Sequence, residues 1–306
     1  MKQYENLVLE GGGVKGIAYV GALMELENKG ILKNIKKVAG TSAGAITALL
    51  IALRYSSDEI MDIMFELDFN KFVDKSRWKT KNFYDVITKF GIAKGDYFQN
   101  WIEDIIYRKI KLKNVTFSDF IRNNNFCDLM VVGVNLTKRN VEIFSYKTTP
   151  NILLSTAIRI SMSIPLFFHA VKYNNDIYID GGLFWNYPLR IYDNNKINPK
   201  TLGLRIDSTK TNLTNFIYDT TFNTNNLSNK PSKVTFFKYL KLLLNVILNQ
   251  QDSKHIQQLD WDRTISIWDT GVGAIEFNIN DREKYNLVKA GKDAVIKYFK
   301  RIEKEN

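Results

Sequence analysis

The chain has 306 residues, 45% hydrophobic and 25% charged, which is the balance of a globular protein with a sizeable core. One cysteine, Cys127, excludes an internal disulfide, and no Cys/His pair has metal-ligand spacing, so we expect neither a disulfide scaffold nor a metal site. Lys and Arg outnumber Asp and Glu by 43 to 32, and the net charge of +11 favours anionic partners such as phospholipid head groups.

No segment of the sequence resembles a signal peptide or a membrane span. Residues Met1 to Glu10 lack the long apolar stretch of a signal peptide. The nearest candidate for a span, Val234 to Leu248, contains Lys238 and Lys241 and falls short of the ~18 residues that a span requires. We therefore expect a cytoplasmic protein with, at most, peripheral contact with anionic membranes.

The first part of the chain predicts two strand–turn–helix units. A short strand over Asn6–Leu9 leads through three glycines into a helix over Val14–Asn28. A second strand over Ile35–Val38 leads into a helix over Ala45–Leu53, which is apolar on every face and therefore buried all round. Two such units in succession predict a parallel sheet flanked by helices.

The middle of the chain predicts a helical cap followed by a return to the sheet. Ser57 is expected to be the N-capping residue of a helix. Residues 55–126 as a whole are expected to form a helical region above the sheet, the cap. Leu129–Val134 is predicted as a central strand with Val141–Tyr146 as its antiparallel partner. A helix over Ile152–Ile160 is predicted to start at Pro150.

The last part of the chain alternates strands with longer polar and helical segments. The patterns predict a hairpin of Val171–Tyr173 and Ile177–Ile179, a strand Leu202–Ile206, a mobile loop over 208–232, a helix Val234–Ile256, a strand Thr264–Trp268 and a closing helix Asp281–Glu303. The helix after the loop either docks at a lipid interface or packs in the core. Because no shift in composition marks a linker, we expect one domain over 1–306, a three-layer α/β/α fold with a mostly parallel sheet.

A glycine-rich run after the first predicted strand offers backbone N–H groups to negative charge. The run Gly11-Gly12-Gly13-Val14-Lys15-Gly16 fits the dinucleotide fingerprint, but no acidic residue stands in Lys33–Ala39 to hold a ribose. Side-chain-free backbone at a helix N-terminus can instead hold a phosphate or the oxyanion of an acyl-transfer intermediate. A plain tight turn is the alternative.

A second motif, Gly40-Thr41-Ser42-Ala43-Gly44, stands between a predicted strand and a predicted helix. In this G-x-S-x-G pattern the serine occupies a sharp turn that exposes its hydroxyl, and its neighbours must be small. Ser42 is therefore a candidate nucleophile, which needs a base to accept its proton.

Three side chains are candidates for that base. His169 and His255 are the two histidines of the chain, and neither lies in a recognisable motif, although a histidine-based triad stays open. Asp180 follows a predicted strand and is followed by Gly181 and Gly182, which allow another backbone or a substrate to approach closely.

Taken together, the glycine run, the Ser42 motif and Asp180-Gly181-Gly182 resemble the patatin-like phospholipases in order and spacing, over residues 5–207. The stretch Ala157–Pro165 resembles the Ser/Pro block of that family. Three departures are present: Glu10 stands for the commoner Asp, Lys15 for a frequent Arg, and bulky residues at 183–188 for small residues and Asn-Pro.

The resemblance implies a Ser–Asp dyad without histidine, an oxyanion hole made by glycines, and no metal or cofactor. Ser42 would be the nucleophile and Asp180 the base. The residues that would form the oxyanion hole are Gly11, Gly12 and Gly13, and those that would support the motifs are Lys15, Gly16, Gly40, Gly44, Gly181 and Gly182.

The expected function is hydrolysis of phospholipids or other acylglycerols, and no nucleic acid partner is expected. The alternatives are an acyltransferase that uses the same serine, and a non-catalytic lipid- or nucleotide-binding protein. A carboxylate base stays ionised well below neutral pH unless burial raises its pKa. The dyad therefore predicts activity that persists below pH ~6.5, where an unperturbed imidazole is protonated.

Overall fold

A central sheet of eight strands organises the protein, in a computed structural model that describes residues 3–67, 71, 91–123, 125–207, 258–268, 271–274, 276 and 278–305. The strand order is β10-β9-β1-β2-β4-β8-β7, and β5 pairs separately with β4. The strands are β1 Asn6–Leu9, β2 Lys37–Thr41, β3 Gly91–Ala93, β4 Asp128–Asn135, β5 Asn140–Phe144, β6 Leu166–Phe168, β7 Val171–Tyr173, β8 Asp176–Asp180, β9 Thr201–Asp207 and β10 Thr264–Trp268.

The sheet has a parallel part and an antiparallel part that meet at β4. From β10 to β4 every neighbouring pair is parallel, whereas β8, β7 and β5 run antiparallel to their neighbours. The short strands β3 and β6 form a separate parallel pair. The predictions of a mostly parallel central sheet, of the antiparallel partner of β4 and of the β7–β8 hairpin are confirmed.

Helices pack on both sides of the sheet, which confirms the predicted three layers. Their bounds are α1 Ala18–Asn28, α2 Ala43–Ala52, α3 Ser57–Glu66, α4 Asp96–Ile110, α5 Phe117–Ile121, α6 Leu154–Ser161, α7 Gln258–Trp261 and α8 Asp281–Glu305, with 3-10 turns at Gly13–Ile17, Leu32–Asn34, Gly181–Leu183 and Leu189–Tyr192. Every residue of α2 is buried, as its apolar sequence predicts. Within the described ranges, no helix is both long and apolar enough to cross a bilayer.

The first and last helices cross at two glycines. A Cβ atom on Gly21 of α1 would lie 1.7 Å from the carbonyl oxygen of Val288, and one on Gly291 of α8 would lie 1.9 Å from the carbonyl oxygen of Ala18. Any larger residue at either position would push the helices apart. The closing helix, predicted from its amphipathic pattern, is thus in direct backbone contact with the helix that follows the glycine run.

Several predicted boundaries shift in the structure. Ser56 rather than Ser57 caps α3, because its hydroxyl accepts from the Glu59 amide at 3.2 Å while the Glu59 carboxylate accepts from the Ser56 amide at 2.7 Å. The second strand begins at Lys37 and continues to Thr41, beyond its predicted end, and α6 begins at Leu154 rather than near Pro150.

The described part of the predicted cap is mainly helical, with α3, α4 and α5, although it also contributes the strand β3. The predicted mobile loop at 208–232 and the predicted helix after it lie outside the described residues.

Candidate active site

Ser42 occupies a strained turn between β2 and α2. Its backbone has φ 54° and ψ −126°, a conformation that residues with a side chain rarely adopt. The flanking glycines are required by close approach. A Cβ on Gly40 would lie 2.3 Å from the Gly44 carbonyl oxygen, and one on Gly44 would lie 2.5 Å from the Glu10 carbonyl oxygen. The G-x-S-x-G spacing is therefore a steric requirement of this turn.

The register of the sheet brings Ser42 and Asp180 together. Strand β5 pairs with residues 131–135 along one edge of β4. The residues of β4 that pair with β2 and with β8 overlap this stretch, so both strands must lie along the other edge of β4. There β2 ends with Thr41 opposite Val132, and β8 ends with Asp180 opposite Gly133. The carboxyl ends of β2 and β8, which run in opposite directions, therefore meet at neighbouring residues of β4. Ser42, the residue after Thr41, and Asp180 are thus brought close together.

The Ser42 turn is held by the end of α6. The Ser42 amide donates to Ser161 Oγ at 2.9 Å, and the Ser161 hydroxyl donates to the Val132 carbonyl at 2.6 Å. The Ser42 hydroxyl itself points at Sδ of Met162, at 3.6 Å. The Ser/Pro block noticed in the sequence therefore supplies direct contacts to the candidate nucleophile.

Asp180 is almost completely enclosed. It is 2% exposed, and its amide donates to the Ser163 carbonyl at 3.0 Å. One carboxylate oxygen, Oδ1, accepts from the Gly182 amide at 2.6 Å. The other, Oδ2, is buried with no hydrogen bond to the residues that the structure describes. The carboxylate therefore has one oxygen fixed by the turn and one available.

Burial raises the pKa of Asp180 to about 7, against the smaller lowering effects of the Gly182 amide and of the nearby Ser42 hydroxyl. The expectation of activity below pH ~6.5 depended on a carboxylate in its ordinary range, so the raised pKa changes that prediction to a loss of activity below about pH 7. A carboxylate with this pKa is a stronger base than a solvated one and is poised near neutral pH.

The glycine run lies against Ser42, and Asn186 holds its first member. A Cβ on Gly11 would lie 3.2 Å from the Ser42 Cβ. The Gly11 amide donates to the Asn186 carbonyl at 3.0 Å, and Asn186 Nδ2 donates to the Gly11 carbonyl at 3.1 Å. The Gly11 amide, expected as an oxyanion donor, is thus engaged in this structure, which leaves Gly12 and Gly13.

The backbone amides of the next two glycines, Gly12 and Gly13, take no part in the hydrogen bonds that the following residues make. Val14 donates to the Ala274 carbonyl at 2.9 Å and Lys15 to the Gly12 carbonyl at 3.2 Å. The amides of Gly12 and Gly13 make no hydrogen bond to the described ranges of the chain. Gly13 has φ 55°, and a Cβ there would lie 1.9 Å from the Ala274 carbonyl oxygen, so only glycine fits.

The remaining motif residues support these loops. Gly16 packs on the start of α2, since a Cβ there would lie 2.9 Å from the Ala43 Cβ, and a Cβ on Gly181 would lie 2.6 Å from the Val132 carbonyl oxygen. Lys15 is buried in the turn after Gly13. The carboxylate of Glu10 accepts from the Ile206 amide at 2.7 Å, which ties the glycine run to β9.

Sequence reasoning missed the part played by residues 185 and 186. The Thr41 hydroxyl donates to the Trp185 carbonyl at 3.0 Å, next to the Asn186 contacts with Gly11. The segment after Asp180-Gly181-Gly182 therefore fastens both the serine turn and the glycine run. The Asn-Pro signal of the resembling family pointed to this segment, but the bulky residues around Asn186 obscured it.

His169 does not belong to this constellation. His169 lines a separate cavity of about 340 Å³, whose walls include neither Ser42 nor Asp180. His255 lies outside the described residues. In the described ranges, no group of three or more His, Cys, Asp or Glu side chains could hold a metal ion.

The fold and this geometry define an α/β protein with a serine on a strained elbow beside a buried aspartate. The family model of the patatin-like phospholipases matches residues 7–193, and the chain belongs to that family.

Individual proteins show the same relationship. The chain is 34% identical to protein R571 of Acanthamoeba polyphaga mimivirus, over 94% of this chain and 91% of the relative. It is 30% identical to probable lipid hydrolase 463L of invertebrate iridescent virus 6, over 65% and 68%. Its fold is similar to that of VipD from Legionella pneumophila, with a TM-score of 0.70 and 19% identity over 98% of this chain and 67% of that one.

Proposed function

We propose that this protein is a lipid acyl hydrolase in which Ser42 is the nucleophile and Asp180 the general base. The observation that carries the proposal is the pairing of a serine on a strained elbow with a carboxyl group whose pKa burial raises to about 7. Membership of the patatin-like phospholipases and the relative named as a probable lipid hydrolase support the same reaction class.

The first half of the reaction forms an acyl-enzyme. Ser42 Oγ attacks the ester carbonyl carbon while its proton passes to Asp180. The carbonyl oxygen becomes an oxyanion, and we assign the task of holding it to the amides of Gly12 and Gly13, at the start of a 3-10 turn. The tetrahedral intermediate collapses when the alcohol leaves with the proton from Asp180, and the acyl group stays on Ser42.

The second half releases the fatty acid. A water molecule gives its proton to Asp180 as its oxygen attacks the acyl-Ser42 carbonyl, and the same amides hold the second oxyanion. When this intermediate collapses, Ser42 Oγ leaves with the proton and the carboxylic acid departs. Asp180 is thereby returned to its ionised form.

The two oxygens of Asp180 suit this division of work. The Gly182 amide fixes Oδ1 at 2.6 Å and thus orients the carboxylate. Oδ2, which has no hydrogen bond in the described ranges, is the oxygen available for the proton. In the reaction the Ser42 hydroxyl gives up its contact with Met162 Sδ and passes its proton to Asp180, whose pKa this hydroxyl already lowers.

Phospholipids and other acylglycerols are the proposed substrates, taken from a membrane surface. The net charge of +11 attracts anionic lipid. Phe184 stands 61% exposed on the segment that joins Asp180 to Asn186, so an apolar side chain faces solvent beside the proposed catalytic groups. Contact with the membrane is proposed to be peripheral.

Fatty acid release from vesicles tests the proposal. Purified protein is incubated with vesicles of phosphatidylcholine and phosphatidylglycerol, and products are identified by mass spectrometry, with Ser42→Ala as the matched control. Free fatty acid from the unaltered protein alone is expected. Transfer of the acyl group to an added alcohol without free acid would establish an acyltransferase, and equal release by Ser42→Ala would refute the proposal. Fluorophosphonate labelling, mapped by peptide sequencing, is expected at Ser42.

A further inference from the structure

A cavity of about 340 Å³ lies at the start of α4, away from the Ser42 turn. Its walls are formed by Lys94, Asp96, Gln99, Arg159, His169, Ala170 and Val171. Arg159 comes from α6, Lys94 follows β3, and Asp96 and Gln99 lie in the first turn of α4. The remaining wall residues follow β6, except Val171, which begins β7. Five elements therefore contribute to one recess.

Arg159 is a buried cation whose hydrogen-bond partners are all neutral. The residue is 4% exposed, and its guanidinium donates to the hydroxyl of Ser163 and, at 2.6 and 3.1 Å, to the carbonyls of Lys94 and His169. One face stacks over the Phe168 ring at 5.3 Å. No carboxylate lies within ion-pair distance of the guanidinium in the described ranges. The exposed carboxylate of Asp96 attracts the guanidinium without forming an ion pair with it. A buried charge without a paired counter-charge is costly, and an anion in the cavity would supply one.

The N-terminus of α4 meets the same guanidinium. Gly95 precedes the helix with φ 77°, and a Cβ there would lie 2.2 Å from Arg159 Nε, so only glycine allows this contact. No side chain caps the helix start. The N-terminal end of a helix of 15 residues therefore adds its partial positive charge to that of Arg159.

Lys94 adds a second full positive charge on the rim, against the single carboxylate of Asp96. Gln99 adds an amide that can donate hydrogen bonds. A rigid planar guanidinium, a flexible ammonium and a helix N-terminus form the combination that recognises an anion with several oxygens, above all phosphate.

We propose that this cavity binds a phosphate group, either that of a phospholipid head group or a free phosphate. The site is independent of the Ser42 chemistry, although the two are joined. Ser163 bonds to Arg159 through its hydroxyl, and its carbonyl accepts the Asp180 amide at 3.0 Å. Occupation of the cavity would fix the guanidinium and, through Ser163, the end of α6 that holds the dyad.

Binding is measured by isothermal titration calorimetry on the inactive Ser42→Ala protein, so that a failure of the proposed hydrolase would not affect the result. The probes are inorganic phosphate and glycerophosphocholine, a soluble phospholipid head group. Saturable binding of either supports the site, and the preferred probe identifies the source of the phosphate. Absence of binding by both overturns it.

Two neighbouring substitutions on α4 separate the cavity from general charge. Gln99→Glu is nearly isosteric and places a negative charge on the wall. It should weaken binding about tenfold, the effect of a unit charge held several ångströms from an anion near a protein surface. Asn100→Asp makes the same change of charge one residue away, on an exposed side chain outside the cavity wall, and should leave binding within about twofold. Equal effects of the two substitutions would refute the site.

Lys94→Ala completes the set, because Lys94 is exposed and its loss should leave the fold intact. It should weaken phosphate binding several-fold, without changing the far-ultraviolet circular dichroism spectrum. Arg159→Lys keeps the charge but loses the planar fork, and should weaken binding even where the protein stays folded. Unchanged affinity in both variants would show that any bound phosphate lies elsewhere.

Discussion

The candidate catalytic residues in the two halves of the sheet are destabilised in different ways. In the parallel half Ser42 sits at φ 54°, so its cost is backbone strain. In the antiparallel half Asp180 has an ordinary φ of −53°, and its cost is the desolvation that raises its pKa to about 7. The comparison teaches that a strand–turn–helix elbow presents a nucleophile by distorting the chain, whereas strand register presents a base by burying it.

The largest expected effect is the loss of turnover on replacement of Ser42. Ser42→Ala and Ser42→Gly both remove the nucleophile and should lower kcat about 10⁴-fold or more. The two differ in strain, because glycine accepts the elbow conformation and alanine does not. Ser42→Gly should therefore be more stable than Ser42→Ala by about 1 kcal/mol in urea unfolding. Equal stabilities would show that the elbow stores no strain.

Replacement of the base should separate activity from stability. Asp180→Asn should lower kcat about 10²- to 10⁴-fold, while His169→Ala and His255→Ala keep most of their activity. The folded pKa of about 7 lies above the ordinary value of 3.8, so the stability contributed by protonated Asp180 is lost as pH rises through that window. Asp180→Asn should escape this loss and be more stable than the unaltered protein at pH 8, by a few kcal/mol.

Thermal unfolding at pH 4 and pH 8 tests this prediction. The stability advantage of Asp180→Asn over the unaltered protein should be larger at pH 8 than at pH 4. If a histidine variant is folded but inactive while Asp180→Asn is still active, the proposed dyad is wrong and a histidine-based triad is favoured.

The Asn186 contacts with the glycine run predict a third effect. Asn186→Ala removes the Nδ2 bond to the Gly11 carbonyl and should displace the oxyanion donors, lowering kcat by about 10- to 100-fold with little change in KM. Asn198→Ala is the matched control, since its Nδ2 also donates to a backbone carbonyl, that of Tyr192. Steady-state kinetics of both variants should separate them. A larger change in KM than in kcat would assign Asn186 to substrate binding instead.

The pH dependence of kcat/KM should report the buried carboxylate directly. The proposed mechanism requires ionised Asp180, so kcat/KM should fall about tenfold for each pH unit below about 7 and level off above it. A short-chain soluble ester is the suitable substrate, because vesicle charge also changes with pH. A profile that stays flat down to pH 5 would contradict the raised pKa.

The smallest expected effect concerns the exposed aromatic side chain beside the site. Phe184→Ser should lower activity on vesicles about fivefold, since partial burial of a phenyl ring in lipid is worth about 1 kcal/mol, and should spare the soluble ester. Trp268→Ser is the control, because Trp268 is also exposed, at 55%, on the far edge strand β10. Equal losses in both variants, or loss on the soluble ester, would remove Phe184 from the interface.

Local patterns in the sequence anticipated the parallel half better than the antiparallel half. The Ser42 turn and the glycine run are each encoded within a few residues, where sterics demand glycine at Gly13, Gly40 and Gly44. The position of Asp180 was expected from its strand, but its pairing with Ser42 was expected only from the family resemblance, because β8 meets β2 only through a shared register on β4.

Long-range contacts account for the remaining differences. The raised pKa of Asp180 depends on burial by distant segments, which its own neighbours in sequence do not reveal. The bond that occupies the Gly11 amide comes from Asn186, 175 residues away. The capping residue of α3 was a local error, since the Ser-x-x-Glu spacing already pointed to Ser56.

The contacts of the glycine run have a consequence for the order in which the protein is made. Gly13 and Val14 meet the Ala274 carbonyl, and α1 crosses α8 at Gly21 and Gly291. A chain still on the ribosome contains the elbow and the glycine run before residues 274 to 291, which contact the glycine run and α1, have been synthesised. We therefore expect nascent chains that have not yet reached residue 291 to lack the complete arrangement of the glycine run and the elbow.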